Sequence, residues 1–261
     1  MADLAGVLAD LAAEGAELET LVDRAPDWAV ATPAEGWTIA HQVGHLAWTD
    51  SAAHASALGG PAWDTLVEAA MADPAGVVDT AAATWAARPD LLEVWRRGRA
   101  DLNEALAATT ATRLPWFGPP MSPTSMATAR LMETWAHGQD VADALGVTRV
   151  PTDRLRHVAH LGVRTHVFAY AVRGLVAPTD PLRVELTSPS GQTWVWGPDD
   201  APARVTGPAL DFCLLVTQRR HRDDLTVVAQ GDEADHWLGI AQAFAGAPGR
   251  GPAPASAGGR G

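Results

Sequence analysis

The apolar residues of this chain change their period near Pro178, and that switch limits the folds open to it more than any other feature. Before it, hydrophobic positions recur every three or four residues, the spacing of one helix face. After it, stretches of strict alternation appear, the spacing of a strand. Leu4, Val7, Leu8, Leu11, Leu18, Leu21 and Val22 predict an amphipathic helix over residues 3 to 24. Asp27 to Gly36 is rich in turn formers. Thr38 then caps a second helix, from about Ile39 to Leu58, with Trp37 packing at its start and Gly59-Gly60-Pro61 ending it. Residues 62 to 87 read as helix broken near Asp73-Pro74, and Pro89-Asp90 opens another long helical segment. Leu114 to Pro120 is too rich in proline to be helical. Ser122 or Ser125 begins the next helix, which runs to Leu145 before Gly146, and a further helix is expected over Thr152 to Arg173.

Beyond Pro178, Leu182 to Leu186 and Gln192 to Trp196 alternate on either side of the turn formers Ser188 to Gly191, the pattern of a hairpin. Ala203 to Thr206 and Leu225 to Ala229 read as further strands, and Pro208 to Gln218 and Asp232 to Phe244 as helices. Residues 247 to 261 carry little to bury and are expected to be a disordered tail. The expected class is therefore α+β: a helical bundle over residues 1 to 150, a connecting helix and small α+β domain over 151 to 246, and the tail over 247 to 261.

The formal charge of −12 argues against nucleic acid as the main partner, because phosphate binding needs clustered cations. All 19 basic residues are arginines, and the one cluster, Arg219-Arg220-His221-Arg222, runs directly into Asp223-Asp224. A locally paired helix end explains it better than an anion-binding corner. Cys213 is the only cysteine and lies in the apolar run Phe212 to Val216, so it is expected to be packed rather than reactive. No apolar run approaches the ~20 residues of a membrane span, and a cytoplasmic protein, monomer or homodimer, is expected.

Two pairs of residues carry chemistry. Glu133 and His137 are four apart on one predicted helix, and His41 and His45 four apart on another, so each pair leaves one helix face a turn apart. Such pairs projecting into a bundle are a recurring way to build a metal site. Taken singly, each has an ordinary explanation: a surface pair for Glu133 and His137, and a core imidazole bonded to a carbonyl for His45. His157, His160 and His166 line the fifth predicted helix, where Arg and Thr neighbours suit a mixed surface equally well, and His54, His221 and His236 are read as non-functional.

The segments Gly36-Trp-Thr-Ile-Ala-His-Gln-Val-Gly-His-Leu-Ala47 and Arg130-Leu-Met-Glu-Thr-Trp-Ala-His-Gly-Gln-Asp140 resemble the second-helix and fourth-helix motifs of the DinB-like superfamily. More narrowly, they resemble the actinobacterial mycothiol-dependent maleylpyruvate isomerase family. The resemblance is strong over residues 3 to 146 and loose beyond. It implies a four-helix bundle followed by a small α/β domain of sterol-carrier type, and a divalent metal on His45, Glu133 and His137. Many relatives carry an acidic residue where this chain has His41, which leaves that histidine open to an accessory role. Zinc is the metal the resemblance implies, although imidazole and carboxylate also suit iron, manganese, nickel and cobalt. Three protein ligands leave positions for water or substrate, as in catalytic sites.

Around this set, Asp140 and Asp50 are candidates to orient a ligating histidine, Arg130 to hold a substrate carboxylate, and Trp48 and Trp135 to wall a cofactor pocket. The resemblance further implies mycothiol as thiol cosubstrate, presented as its thiolate for S-transfer to, or cis–trans isomerisation of, a small organic acceptor. Two other classes remain open. One is an enzyme that activates water, with Asp140 or His41 as base. The other is a non-catalytic protein that binds metal or a small apolar ligand.

Overall fold

Three polar side chains set where the longest helices of the N-terminal half begin. In the computed structural model, which describes residues 3–249 and 251–255, Asp3 Oδ1 accepts a hydrogen bond from the Gly6 N–H (2.8 Å) and starts α1, Leu4–Asp23. Thr38 precedes α2, Ile39–Leu58, and its hydroxyl and N–H both face His41 Nδ1, at 2.8 and 3.4 Å. Ser122 Oγ accepts from the Ser125 N–H (3.1 Å) at the head of the helix Pro123–Ala144. Each cap satisfies donors that the first helical turn leaves without partners.

Between these lie α3, Pro61–Ala72, α4, Val77–Ala86, and α5, Leu91–Ala108; the Pro123–Ala144 helix is α6. The break between α3 and α4 falls at Asp73-Pro74, where the sequence places it. Helices α1, α2, α5 and α6 pack around one another as a four-helix bundle, and α4 lies against α2. That last contact is close. A Cβ on Gly44 would stand 2.7 Å from the Ala82 carbonyl and 2.8 Å from the Ala86 nitrogen, so α4 approaches only because residue 44 lacks one.

The bundle core is not continuous. One apolar layer gathers Leu18, Val22, Ile39, Val43, Leu46, Trp95 and Val141. A second gathers Val7, Leu8, Ala53, Leu102, Leu106, Met126 and Ala127. Along each helix a polar residue falls between them: Glu14, Asp50, Arg99 and Arg130. All four are engaged. Arg130 Nε donates to Asp50 Oδ1 (2.8 Å), Arg149 pairs with Glu14, and Arg99 pairs with Glu19 while its guanidinium lies 4.2 Å over the Trp95 ring.

The chain divides into two units between Arg149 and Val150. In the second, the single helix expected over residues 152 to 173 is instead two, α7, Leu155–Arg164, and α8, His166–Ala171. The Thr165 hydroxyl turns back onto the Leu161 and Gly162 carbonyls, both at 3.0 Å, at the break. Strands β1, Leu182–Thr187, and β2, Thr193–Trp196, form the expected antiparallel hairpin. Strand β3, Ala203–Pro208, runs parallel to β1 with Val184 beside Val205, and β4, Val228–Gln230, is antiparallel to β3, giving the order β2-β1-β3-β4.

Helix α9, Ala209–Val216, buries Phe212 and Cys213, whose thiol is raised well above its usual pKa by burial; α10, Asp232–Ile240, buries Trp237. This last helix is shorter than expected. Ala241 turns extended, and the Ala243 N–H donates to the Val216 carbonyl (2.7 Å) instead. Similarly, β4 starts three residues later than expected, after a 3-10 turn at Arg222–Asp224. Within the segment expected to be a tail, the Ala255 N–H donates to Asp224 (2.9 Å); residues 250 and 256–261 lie outside the described residues. The architecture is α+β, and no described helix is long and apolar enough to cross a membrane.

Candidate metal centre

His45 and Glu133 are 88 residues apart in sequence, and α2 and α6 bring them together. His45 Nε2 lies 3.5 Å from Glu133 Oε2, and His137 Nε2 lies 3.2 Å from that same oxygen. One ligand atom from each of the three residues falls within 4.8 Å of the other two. Their side chains retain 10, 21 and 12% of their exposure in the order His45, Glu133, His137, so the cluster is recessed but not sealed. Burial pushes the Glu133 carboxyl up, yet hydrogen bonding and charge from His137 and His45 outweigh it and hold the group well below the usual carboxylate range.

These donors fit a divalent ion. One anionic oxygen faces two imidazole nitrogens, an arrangement that is satisfied when a proton or a metal cation is shared among them. Two imidazoles and a carboxylate are also ligands that zinc and its neighbours in the first transition row accept. Among the described residues His45 Nδ1 is buried with no hydrogen-bond partner, so the ring is held by packing and by its Nε2 side.

The other residues singled out in the sequence divide into those near the cluster and those directed elsewhere. Trp48 stands beside His45, with ring centroids 6.0 Å apart. Asp140 Oδ2 lies 3.9 Å from His137 Nδ1. His41 is turned to the helix start, where Nδ1 faces Thr38, and is not among the clustered donors. Asp50 meets no ligating histidine in its hydrogen bonds; it accepts from Arg130 Nε and from Trp95 Nε1 (3.3 Å). Arg130, 2% exposed, is buried in that pair, and its Nη2 has no hydrogen-bond partner among the described residues. Trp135 leaves α6 roughly 200° around from Glu133. There its carbonyl accepts from Arg149 Nη1 (3.0 Å), and the Arg149 guanidinium lies 6.0 Å from its ring.

Three residues at the centre escaped the sequence reading. Trp37, expected only to pack at the start of α2, stacks on His137 (6.0 Å, 16° between planes), lies 5.4 Å from the His45 ring and donates from Nε1 to Asp79 (2.9 Å). Gln42, fully buried, reaches His137 Nδ1 with Oε1 and donates from Nε2 to Thr32 Oγ1 (2.8 Å). Thr32 belongs to the link before α2. The available signal was the spacing of Gln42: a polar residue three before His45 shares its helix face.

Comparisons with known proteins agree with this architecture. Residues 178–230 match a model described as wyosine base formation. Two uncharacterized proteins, from two strains of Mycobacterium tuberculosis, are each 57% identical over 256 residues, spanning 96% of this chain and all of theirs. Two crystal structures of a mycothiol-dependent maleylpyruvate isomerase, one of them a histidine-to-alanine variant, share the fold. The variant superposes with a TM-score of 0.60 over 87% of this chain and 93% of the other; the second structure gives 0.58 over 88% and 93%, both at 16% identity. Residues 9–142, half of the chain, match the model described as the mycothiol maleylpyruvate isomerase N-terminal domain, and the chain belongs to that family.

Proposed function

We propose that this protein is a divalent-metal enzyme that uses a low-molecular-weight thiol, mycothiol, for S-transfer to, or cis–trans isomerisation of, a small organic acceptor. The observation that carries this reading is the convergence of His45, Glu133 and His137 on one recessed, solvent-reachable spot, in a family that includes mycothiol-dependent maleylpyruvate isomerase. A divalent ion held there, zinc in this reading, would depress the pKa of a thiol bound to it and present the thiolate at neutral pH.

The chain's own groups then have distinct tasks. Glu133 supplies a carboxylate that stays anionic, and the two imidazoles supply neutral nitrogen donors that leave positions open. Trp37 and Trp48 cover the histidine rings and exclude water from that side. His41, whose Nδ1 accepts from the Thr38 N–H, stands at the start of α2 as the accessory group of this reading. Asp140 supports His137 from behind. Arg130, one turn before Glu133, is the cation that would meet a substrate carboxylate, and only if its buried pair with Asp50 opens.

Elemental analysis of the purified full-length protein tests the reading, comparing wild type with His45→Ala and Glu133→Ala. Near one equivalent of metal in wild type, lost in both variants, is the expected result and would direct activity screens to thiol-dependent reactions. A wild-type protein that holds no metal, even after reconstitution, would overturn it.

A further inference from the structure

Gln42 and Thr32 form a relay from the link before α2 to His137, and the direction of each hydrogen bond in it can be deduced. The Thr32 hydroxyl lies 2.9 Å from the Trp37 carbonyl oxygen, which can only accept, so the single hydroxyl proton is committed there. Towards Gln42 the same oxygen can therefore only accept, and the amide group facing it at 2.8 Å must be the NH2. That fixes the rotation of the amide. Its carbonyl oxygen, which carries no proton, is the atom that meets His137 Nδ1. Nδ1 must then hold a proton, and the neutral ring is left with its bare lone pair on Nε2, the nitrogen that faces Glu133 and lies on the His45 side.

We infer that Gln42 is a positioning residue that holds His137 in the Nδ1–H tautomer, with Thr32 and the Trp37 carbonyl setting the rotation of its amide. The inference rests on the metal reading proposed above for its purpose, but not for its geometry. A ligand nitrogen must present a lone pair, and a histidine whose second nitrogen donates to a fixed acceptor is oriented for that before any ion arrives. The acceptor here is a neutral amide, fully buried, and not a carboxylate. It adds no charge of its own behind the ring, where Asp140 Oδ2 already lies 3.9 Å from Nδ1. Without Gln42, Nδ1 faces Asp140 Oδ2 only at 3.9 Å, beyond hydrogen-bond reach, and the proton of the neutral ring would be drawn to Nε2, where Glu133 Oε2 at 3.2 Å offers it an acceptor.

The relay is tested by nitrogen NMR of the His137 ring in mildly alkaline, metal-free, full-length protein, followed by zinc titration. In wild type the expected signature is a protonated, hydrogen-bonded Nδ1. In Gln42→Leu the proton moves to Nε2, and zinc affinity falls roughly 10- to 100-fold, the usual effect of removing such a partner. Gln42→Glu keeps an acceptor for Nδ1 and should retain both the tautomer and zinc binding. A bare Nδ1 in wild type overturns the inference without any variant, as does a Gln42→Leu protein that folds and keeps the wild-type tautomer. If wild type shows the Nδ1–H ring but binds no zinc, the relay stands and the metal reading fails, so the two are separable.

Discussion

The two apolar layers of the bundle and the polar middle between them are built on the same four helices, yet they contribute in opposite ways. Leu46 and Trp95 in one layer, and Leu102 and Leu106 in the other, are buried against like neighbours and supply the hydrophobic term that holds the helices together. In the middle, Asp50 and Arg130 are buried to 2% exposure each. Taking such a pair out of water costs about as much as its attraction returns, and apolar replacements of similar volume are often as stable or more so. The layers therefore account for folding, while the middle is where the fold tolerates charge.

The contrast predicts unequal responses to mutation. Asp50→Ala would strand the Arg130 guanidinium in the core and should destabilise the protein by about 3–5 kcal/mol, measured by urea unfolding. Leu46→Ala, in the apolar layer, should cost about 2–5 kcal/mol by opening a cavity. The informative experiment is the double change Asp50→Leu with Arg130→Met, which should recover most of the stability lost in Asp50→Ala; Leu46→Ala has no such remedy. A double variant as unstable as the single would mean that the middle also drives folding, and the contrast would fail.

Gly44→Ala tests the wall beside the centre. The added Cβ meets α4 backbone at 2.7 Å, so α4 must shift, at a cost of about 1–3 kcal/mol in thermal or urea unfolding. Unchanged stability in the Gly44→Ala variant would show that α4 yields freely.

The smallest effect is expected in the C-terminal unit, where charge is handled by titration. Burial first, and then the charges of Arg164, His157 and Arg156, hold His160 below its ordinary pKa of 6.5. Its neutral Nδ1 accepts from Trp196 Nε1 (3.2 Å), joining α7 to β2. Because the folded state binds this proton less readily than the unfolded chain, the contribution is complete above pH 6.5 and is lost as the pH falls through the lowered folded value. His160→Gln, which cannot titrate, should make the acid limb of the stability profile shallower. An unchanged limb would remove His160 from that account.

Much of this was legible in the sequence, for identifiable reasons. Asp3, Thr38 and Ser122 act on donors within three residues of themselves, so a local reading found the helix starts. The β1–β2 hairpin closes through its own turn, and it too was found. His45, Glu133 and His137 stood out because each pair is marked by helical spacing and the surrounding residues resemble a known family. What stayed hidden depends on distant partners. Asp50 meets Arg130 across 80 residues and Gln42 meets His137 across 95, and nothing adjacent to any of the four announces its partner. The parallel register of β3 on β1 likewise depends on a strand some twenty residues away.

The pairing of α1 with α6 has a consequence for the order of events as the chain is made. Arg149 bonds Glu17 at 3.1 Å across 132 residues, and it is α6, just before Arg149, against which α1 packs. While the intervening residues emerge from the ribosome, at roughly 5–20 per second, Leu8, Leu18 and Val22 have no α6 to cover them. For a time on the order of ten seconds the first helix lacks its α6 partner, and only α2 and then α5 are present to share its apolar stripe. Synthesis rate and chaperone supply, as well as sequence, therefore bear on how much of this protein reaches the bundle.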